Sequence, residues 1–274
     1  MHDLKDTTFI IPIRIESEDR MRNIITVLCY LLKNFDTNVI VKEVDKESVF
    51  EESVFPQIRE FVGDKIKNLK HIFEKSEDPV FFREKILNEM LFESTTKIVA
   101  NYDGDILLKQ NVVLESVNMI RNGYDLVYPY EYGVACGQSY VKDSDVSEFL
   151  NKNFDFSIIE KKTTYCDAHY GMVQFFNKNS YIEGGMENEN FIGSAPDDYE
   201  RYHRFNLFGY KIGRVNDKVY HLDHSRGMNS WPVSFTQQPH TKGNVQLWEK
   251  LKTLSKEELK DYYSNQSYLE KYKK

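Results

Sequence analysis

The chain has 274 residues, of which 41% are hydrophobic and 29% charged, and its formal net charge is −7. This length and apolar content suffice for one large domain with a full core, and they argue against a disordered chain. The negative charge argues against general nucleic-acid binding, which needs a basic surface for phosphate contacts. The 18 tyrosines and 18 phenylalanines are aromatic side chains of the kind found in cores and in sugar or base sites.

The cysteines and the apolar runs indicate a cellular compartment. Cys29, Cys136 and Cys166 form no CxxC motif, which favours free thiols in a reducing compartment. The first residues contain no apolar signal region, and no apolar run reaches about 18 residues. We therefore expect a soluble cytoplasmic protein, with peripheral contact at the inner membrane through a lysine-rich tail as a further option.

Strands and helices alternate along the first half of the chain. Residues 7–13 and 38–44 predict buried strands, and apolar residues at helical spacing from Glu18 predict a helix between them. The alternation continues with a strand at 69–73, a helix at 80–93, a strand before Asp103, a helix at 112–120 and a strand at 124–128. This order predicts an α/β fold with a mixed, mostly parallel sheet flanked by helices.

The second half of the chain has a weaker pattern. Residues 130–166 do not predict elements, whereas 170–176 predict a strand and the residues after Asp198 predict a helix. Strands are predicted at 209–215 and 219–222. An amphipathic C-terminal helix follows, with a capping box at residues 255–258.

Two acidic residues follow the strand that ends before Asp103. Asp103 and Asp105 flank Gly104, beyond the carboxyl end of that strand, where open α/β sheets bind ligands. Hard oxygen ligands there suit Mg²⁺ or Mn²⁺ holding a diphosphate. An acidic surface turn is the alternative interpretation.

Three further groups of polar residues have both a functional and an ordinary interpretation. His221 and His224 at a strand end are candidate metal ligands or simple polar residues. Asp197 and Asp198 either complement the dipole of the helix that they begin or include a general base. Arg14, after the first strand, is either a surface residue or a ligand of a phosphate or base.

Taken together, these stretches resemble the GT-A fold glycosyltransferases, most closely the β-1,4-galactosyltransferase type, with bacterial polysaccharide transferases as relatives. Five stretches in family order carry the resemblance: residues 10–14, 81–88, 103–105, 193–200 and 224–226. The resemblance implies a nucleotide-binding half at 1–105, an acceptor-binding half at 106–248 and a C-terminal helix at 249–274.

The resemblance also implies roles for individual residues. It places nucleotide contacts at Pro12, Arg14, Phe81, Arg83, Asp103 and Asp105. It implies metal ligation by Asp105 and His224, with Asp103 and His221 as further ligands. It identifies Asp198 as the catalytic base, and Tyr170, Gly171 and Asp197 as acceptor-side residues. Tyr170 and Phe191 are expected to stack on sugar rings.

Two positions depart from the family pattern. Ser194 stands where the family has a tryptophan that closes over the donor, and Gly171-Met172 stands where the family has two glycines. Both departures concern the acceptor side.

The resemblance implies a metal-dependent inverting transfer of a hexose, of the galactose or N-acetylgalactosamine type, from a UDP-sugar. The expected cofactor is Mn²⁺ or Mg²⁺, and the expected acceptor is a saccharide or lipid-linked saccharide in bacterial surface polysaccharide synthesis. Two alternatives remain: a non-catalytic nucleotide-sugar binding module, and a same-fold transferase with a different donor or a retaining outcome. A metal-dependent phosphohydrolase is disfavoured, because the sequence contains no denser cluster of His and Asp.

Overall fold

The computed structural model describes residues 1–193 and 195–272. The strands in these residues are β1 (His2–Ile13), β2 (Phe35–Asp45), β3 (Leu69–Lys75), β4 (Ile98–Tyr102), β5 (Ile106–Leu107), β6 (Leu126–Tyr128), β7 (Gly133–Ser139), β8 (Thr163–Ala168), β9 (Val173–Asn177), β10 (Ile212–Arg214) and β11 (Val219–Leu222). The helices are α1 (Glu18–Asn34), α2 (Phe55–Val62), α3 (Arg83–Glu93), α4 (Gln110–Arg121), α5 (Asp143–Asn151), α6 (Phe156–Glu160), α7 (Lys178–Glu183), α8 (Asp197–Phe208), α9 (Val233–Gln237), α10 (Thr241–Leu251) and α11 (Lys256–Ser264). A π-helical turn (Phe50–Val54) and two 3₁₀ segments (Gly63–Asn68 and Ser267–Tyr272) complete the secondary structure.

Seven strands form the central sheet, in the order β10-β6-β9-β4-β1-β2-β3. β9 runs antiparallel to both of its neighbours, and the other pairs are parallel. Apolar side chains on both faces of β1 are fully buried, among them Phe9, Ile10 and Ile11. Burial on both faces is typical of parallel sheets covered by helices, so the predicted α/β fold is confirmed.

A second sheet has four strands in the order β5-β11-β7-β8. The sequence predicted β11, at 219–222, but not β7 and β8, which lie in the stretch 130–166 where no elements were predicted. β11 pairs antiparallel with β5, and this register puts His221 opposite Ile106. The backbone N–H of Leu222 also donates to the carbonyl oxygen of Asp105 at 2.8 Å. The small sheet thus fixes the end of β11 beside the acidic turn after β4.

Several element boundaries differ from the sequence prediction. α3 begins at Arg83 rather than residue 80, because the N–H of Val80 donates to the side chain of Asp78 in a turn. β9 begins at Val173 rather than residue 170, because the carbonyls of Tyr170 and Gly171 accept from the side chain of Gln174.

The C-terminal region also differs from the single helix expected at 249–274. Two helices, α10 and α11, are separated by a turn in which Ser255 caps α11 through a capping box with Glu258. Their apolar residues pack against Phe191 and the end of α8 in a small cluster of their own. No helix in the described part of the chain combines the length and apolarity needed to span a membrane.

Candidate active site

Asp105, His221 and His224 come together at the ends of β4 and β11. Their ligand atoms all lie within 4.8 Å of one another. Oδ2 of Asp105 is 3.1 Å from Nε2 of His224, and Oδ1 is 3.6 Å from Nε2 of His221. Burial opposes ionisation of Asp105, but the two imidazoles outweigh it and hold the pKa of this carboxyl below its usual range.

The donor atoms of this cluster fit a divalent cation. Nδ1 of His224 is 2.8 Å from the carbonyl oxygen of Ser225, and since a carbonyl only accepts, Nδ1 carries the proton. In the neutral imidazole, Nε2 then directs a lone pair at the Asp105 carboxylate, and two acceptors this close require a shared cation or proton. A backbone partner on the second ring nitrogen is typical of metal-binding histidines. Oδ1 of Asp105 is buried without a hydrogen-bond partner among the described residues, so it is available to bind a cation.

Asp103 lies beside this cluster but is held by an arginine. Nη2 of Arg83, at the start of α3, donates to Oδ1 of Asp103 at 2.8 Å. Burial raises the pKa of Asp103, the Arg83 guanidinium opposes the rise, and the neighbouring Asp105 adds to it. The ion pair leaves Asp103 less free than Asp105 to bind a cation, and it places a positive charge at the edge of the cluster.

A cavity of about 270 Å³ opens above the cluster. Pro12 and Arg14 at the end of β1 line it, together with Phe81, Arg83, both acidic residues of the turn, and both histidines. The Arg14 guanidinium donates to the carbonyls of Val44 and Pro79 and lies 5.6 Å from the centre of the Phe81 ring. The structure therefore brings together all of the nucleotide and metal residues that the sequence predicted, although their roles stay predictions.

A second cavity of about 580 Å³ adjoins the first and contains Asp197 and Asp198. The two cavities share lining residues at their junction: Arg83, Asp103, Met172, Asn229 and Trp231. Burial, and after it the neighbouring Asp197, raises the pKa of Asp198 to about 7. A carboxylate with this pKa is a stronger base than an ordinary aspartate and is still ionised in part at neutral pH.

Gly171 allows the side chain of Asp198 to approach the backbone that precedes β9. The backbone N–H of Tyr199 donates to Oδ1 of Asp198 at 2.8 Å, and a Cβ on Gly171 would lie 3.1 Å from Oδ2. A larger residue at position 171 would crowd Oδ2 of Asp198, the carboxylate oxygen that does not accept the hydrogen bond from Tyr199.

A buried ion pair fixes the first turns of α8. Nη1 of Arg201 donates to both carboxylate oxygens of Glu187, at 2.8 and 2.9 Å, and neither side chain is more than 1% exposed. Arg201 and Arg83 each lie 4.0 Å from Oδ2 of Asp197. Asp197 thus sits between two arginines, which leaves Asp198 as the acidic group of this helix without a close cationic partner among the described residues.

Exposed aromatic rings border the second cavity. Trp231 and Phe235 are 57% and 51% exposed, and their ring centres lie 5.5 Å apart. Tyr199 and His169 complete this side, with the Tyr199 hydroxyl 2.6 Å from Nδ1 of His169. The sequence interpretation missed Trp231 and Phe235, although they follow the 224–226 motif by only a few residues.

The predicted sugar-stacking residues are placed differently. The ring of Tyr170 stacks on Tyr202 at 4.1 Å, and Tyr170 does not line the second cavity, although its neighbours His169 and Gly171 do. Phe191 is 2% exposed and packs against Leu251 and Leu259, so the expectation that it stacks on a sugar is wrong. The departure at Ser194 lies outside the described residues.

Comparison with protein-family models and with curated protein sequences gives no significant match.

Comparison with solved structures identifies similar folds. The mannosyltransferase PcManGT from Pyrobaculum calidifontis, in complex with GDP-Man and Mn²⁺, aligns with a TM-score of 0.55 and 15% identity over 96% of this chain and 69% of its own. GalNAc-T7 with UDP, GalNAc and Mn²⁺ aligns with a TM-score of 0.56 and 12% identity over 94% of this chain, which spans 50% of that protein. The catalytic domain of Drosophila β1,4-galactosyltransferase 7, in complex with xylobiose, has a TM-score of 0.46 and 14% identity, covering 89% and 81% of the two chains.

The fold of this chain is that of the GT-A glycosyltransferases. The first two similarities carry this assignment, and it confirms the GT-A fold that the resemblance of the sequence motifs implied.

Proposed function

We propose that this protein transfers a hexose from a UDP-sugar to a hydroxyl group of a saccharide, with a divalent cation bound at the candidate metal site. The observation that carries the proposal is the adjacency of two cavities. One contains the Asp105, His221 and His224 cluster, and the other contains Asp198 with its raised pKa. A donor with a diphosphate and an acceptor with a hydroxyl group need adjoining sites of these two kinds.

Asp105, His221 and His224 would hold the cation, and Mn²⁺ is our first choice because two of the structural neighbours are complexes with Mn²⁺. A mixed set of carboxylate and imidazole ligands suits Mn²⁺ better than Mg²⁺, which prefers oxygen. When bound, the cation would neutralise charge on the diphosphate leaving group. Arg83 adds a fixed positive charge at the same edge of the cavity.

We assign the nucleotide to the part of the first cavity formed by the end of β1 and the start of α3. The Phe81 ring and Pro12 supply apolar surface there. Nη2 of Arg14 is buried without a partner among the described residues, so it is free to donate to a ligand. One neighbour is a complex with GDP-Man and another with UDP, and we choose UDP from the resemblance of residues 81–88 to the UDP-binding segment.

Asp198 would remove the proton from the attacking acceptor hydroxyl. Its position in the second cavity, across the junction from the metal cluster, favours direct displacement at the anomeric carbon and hence inversion. Gly171 keeps space beside its Oδ2, and the exposed rings of Trp231 and Phe235 supply a surface on which a pyranose ring can stack. The assignment to bacterial surface polysaccharide, and to a lipid-linked form of the acceptor, rests on the motif resemblance alone.

The test is a donor screen with purified protein and Mn²⁺. UDP-galactose, UDP-N-acetylgalactosamine, UDP-glucose and GDP-mannose are each incubated with saccharide acceptors, and nucleotide release is compared with and without acceptor. We expect acceptor-stimulated release of UDP and a product of inverted anomeric configuration by NMR. Nucleotide release from GDP-mannose but from none of the UDP-sugars would contradict the choice of UDP. A product of retained anomeric configuration would contradict the role of Asp198. Tight binding of a UDP-sugar without turnover on any acceptor would favour a binding module.

A further inference from the structure

The small sheet places two cysteines opposite one another. Cys136 on β7 and Cys166 on β8 are paired residues of an antiparallel ladder, so their side chains lie on the same face of the sheet. Directly opposed residues in such a ladder have Cα atoms about 4.5–5.5 Å apart. Disulfides usually join Cα atoms about 4.4–6.8 Å apart, so the register of these strands meets the distance requirement of a disulfide.

The packing next to this pair holds the register. Gly137 pairs with Tyr165, and a Cβ on Gly137 would lie 2.6 Å from Cγ2 of Thr163. The hydroxyls of Ser139 and Thr163 lie 2.8 Å apart. The register shifts on the other side of the pair, between Val134 and Cys136, so the close contact on the Gly137 side is what keeps the two cysteines opposed.

The two thiols differ in access to solvent. Cys166 is exposed on β8, the edge strand, whereas Cys136 is only 6% exposed. Burial, and then the neighbouring Cys166, raises the pKa of the Cys136 thiol to about 12. Cys136 is therefore the less reactive thiol, and an oxidant from solvent meets Cys166 first. What qualifies Cys136 as the second partner is its position opposite Cys166 in the ladder. The third cysteine, Cys29, is buried in α1.

We propose that Cys136 and Cys166 form an oxidative modification site that closes to a reversible disulfide on exposure to hydrogen peroxide. In the first step the Cys166 thiol and one peroxide give a sulfenic acid and one water. In the second step the sulfur of Cys136 loses its proton as it attacks the sulfenic sulfur, and the hydroxyl group takes up a proton and leaves as a second water. The peroxide is the oxidant, and the two thiols are together oxidised by two electrons.

The experiment treats the full-length protein with hydrogen peroxide and follows thiols and mass. We expect two of the three thiols to disappear, the mass of the monomer to fall by two hydrogens, and dithiothreitol to restore both thiols. Tryptic peptides should contain a Cys136–Cys166 link and an unmodified Cys29. The melting temperature should rise on the order of 5 °C, because the link constrains the unfolded chain.

Single variants make the outcome decisive. Cys29→Ser should behave as the parent protein does, whereas Cys136→Ser should gain oxygen at Cys166 and form no internal link. Gain of oxygen at Cys166 in the parent protein, a disulfide-linked dimer, or a fall in melting temperature on closure would each overturn the proposal. Because thiols and mass are read directly, this result does not depend on the proposed glycosyltransferase activity.

Discussion

Nε2 of His224 and Oδ2 of Asp105 lie 3.1 Å apart, although one residue follows β11 and the other precedes β5. The antiparallel pairing of those two strands produces this contact. The Ser225 carbonyl accepts a hydrogen bond from Nδ1–H of His224, so the ring nitrogen that faces Asp105, Nε2, is free to bind a cation.

Asp105→Asn and His224→Ala should each weaken Mn²⁺-dependent binding of UDP by more than about tenfold, because each removes one of three candidate ligands. Isothermal calorimetry with and without EDTA measures this loss. His2→Ala, at the far end of β1, is the matched control and should bind as the parent does. Unchanged Mn²⁺-dependent affinity in both site variants would show that the cluster does not bind the cation.

Asp198→Asn should lower turnover by about 10²–10⁴-fold and leave UDP-sugar affinity within a few-fold, because the amide cannot accept the acceptor proton. Initial rates and calorimetry on the same preparation separate the two effects. Asp64→Asn, an exposed position far from either cavity, controls for loss of an acidic group. Full turnover in Asp198→Asn would remove this residue from the mechanism.

The pH profile should reflect the raised pKa of Asp198. A carboxyl is protonated below its pKa, so kcat/KM should fall about tenfold per pH unit below pH 7. Asp197→Asn removes the second cause of the raised pKa and should move this acid limb to lower pH. UDP binding with Mn²⁺ at each pH controls for protonation of the histidines. An acid limb that does not move would contradict the assignment of the limb to Asp198.

Phe235→Ala should raise the KM for the acceptor by about three- to tenfold and leave UDP binding unchanged. Phe235 lines the second cavity only, and loss of one stacking contact costs about 0.5–1.5 kcal/mol. Tyr140→Ala removes an exposed aromatic ring away from both cavities and is the control. Equal acceptor KM values for the two variants would argue against a sugar platform at this position.

Glu187→Ala should lower the free energy of unfolding by about 3–5 kcal/mol, because it leaves the buried Arg201 charge without its main partner. Urea denaturation followed by circular dichroism measures the change. Glu249→Ala removes an exposed ion pair with Lys252 and should change stability by less than about 1 kcal/mol. Similar losses of unfolding free energy in the two variants would show that the buried Glu187–Arg201 pair contributes no more to stability than the exposed pair.

The sequence by itself determined the α/β class and most of the first half of the fold. β1, α1 and β2 were predictable because their apolar residues follow the period of a buried strand or an amphipathic helix. The acidic turn after β4 and the two histidines were predictable as candidates, because their residue types and spacing are local properties of the chain. That Asp105 and the two histidines lie close together was inferred from the order of the family motifs along the chain, and in the structure they do lie together.

Features that depend on contacts between distant parts of the chain were decided by the tertiary structure alone. β7 and β8 have polar and apolar residues that follow no clear period, so they became visible only through the pairing of β7 with β11 and of β8 with β7. The raised pKa of Asp198 depends on burial and on Asp197, and neither effect has a sequence signature. Trp231 and Phe235 face a cavity instead of a core because of where residues 229–235 lie against α3 and α8, which composition alone does not determine.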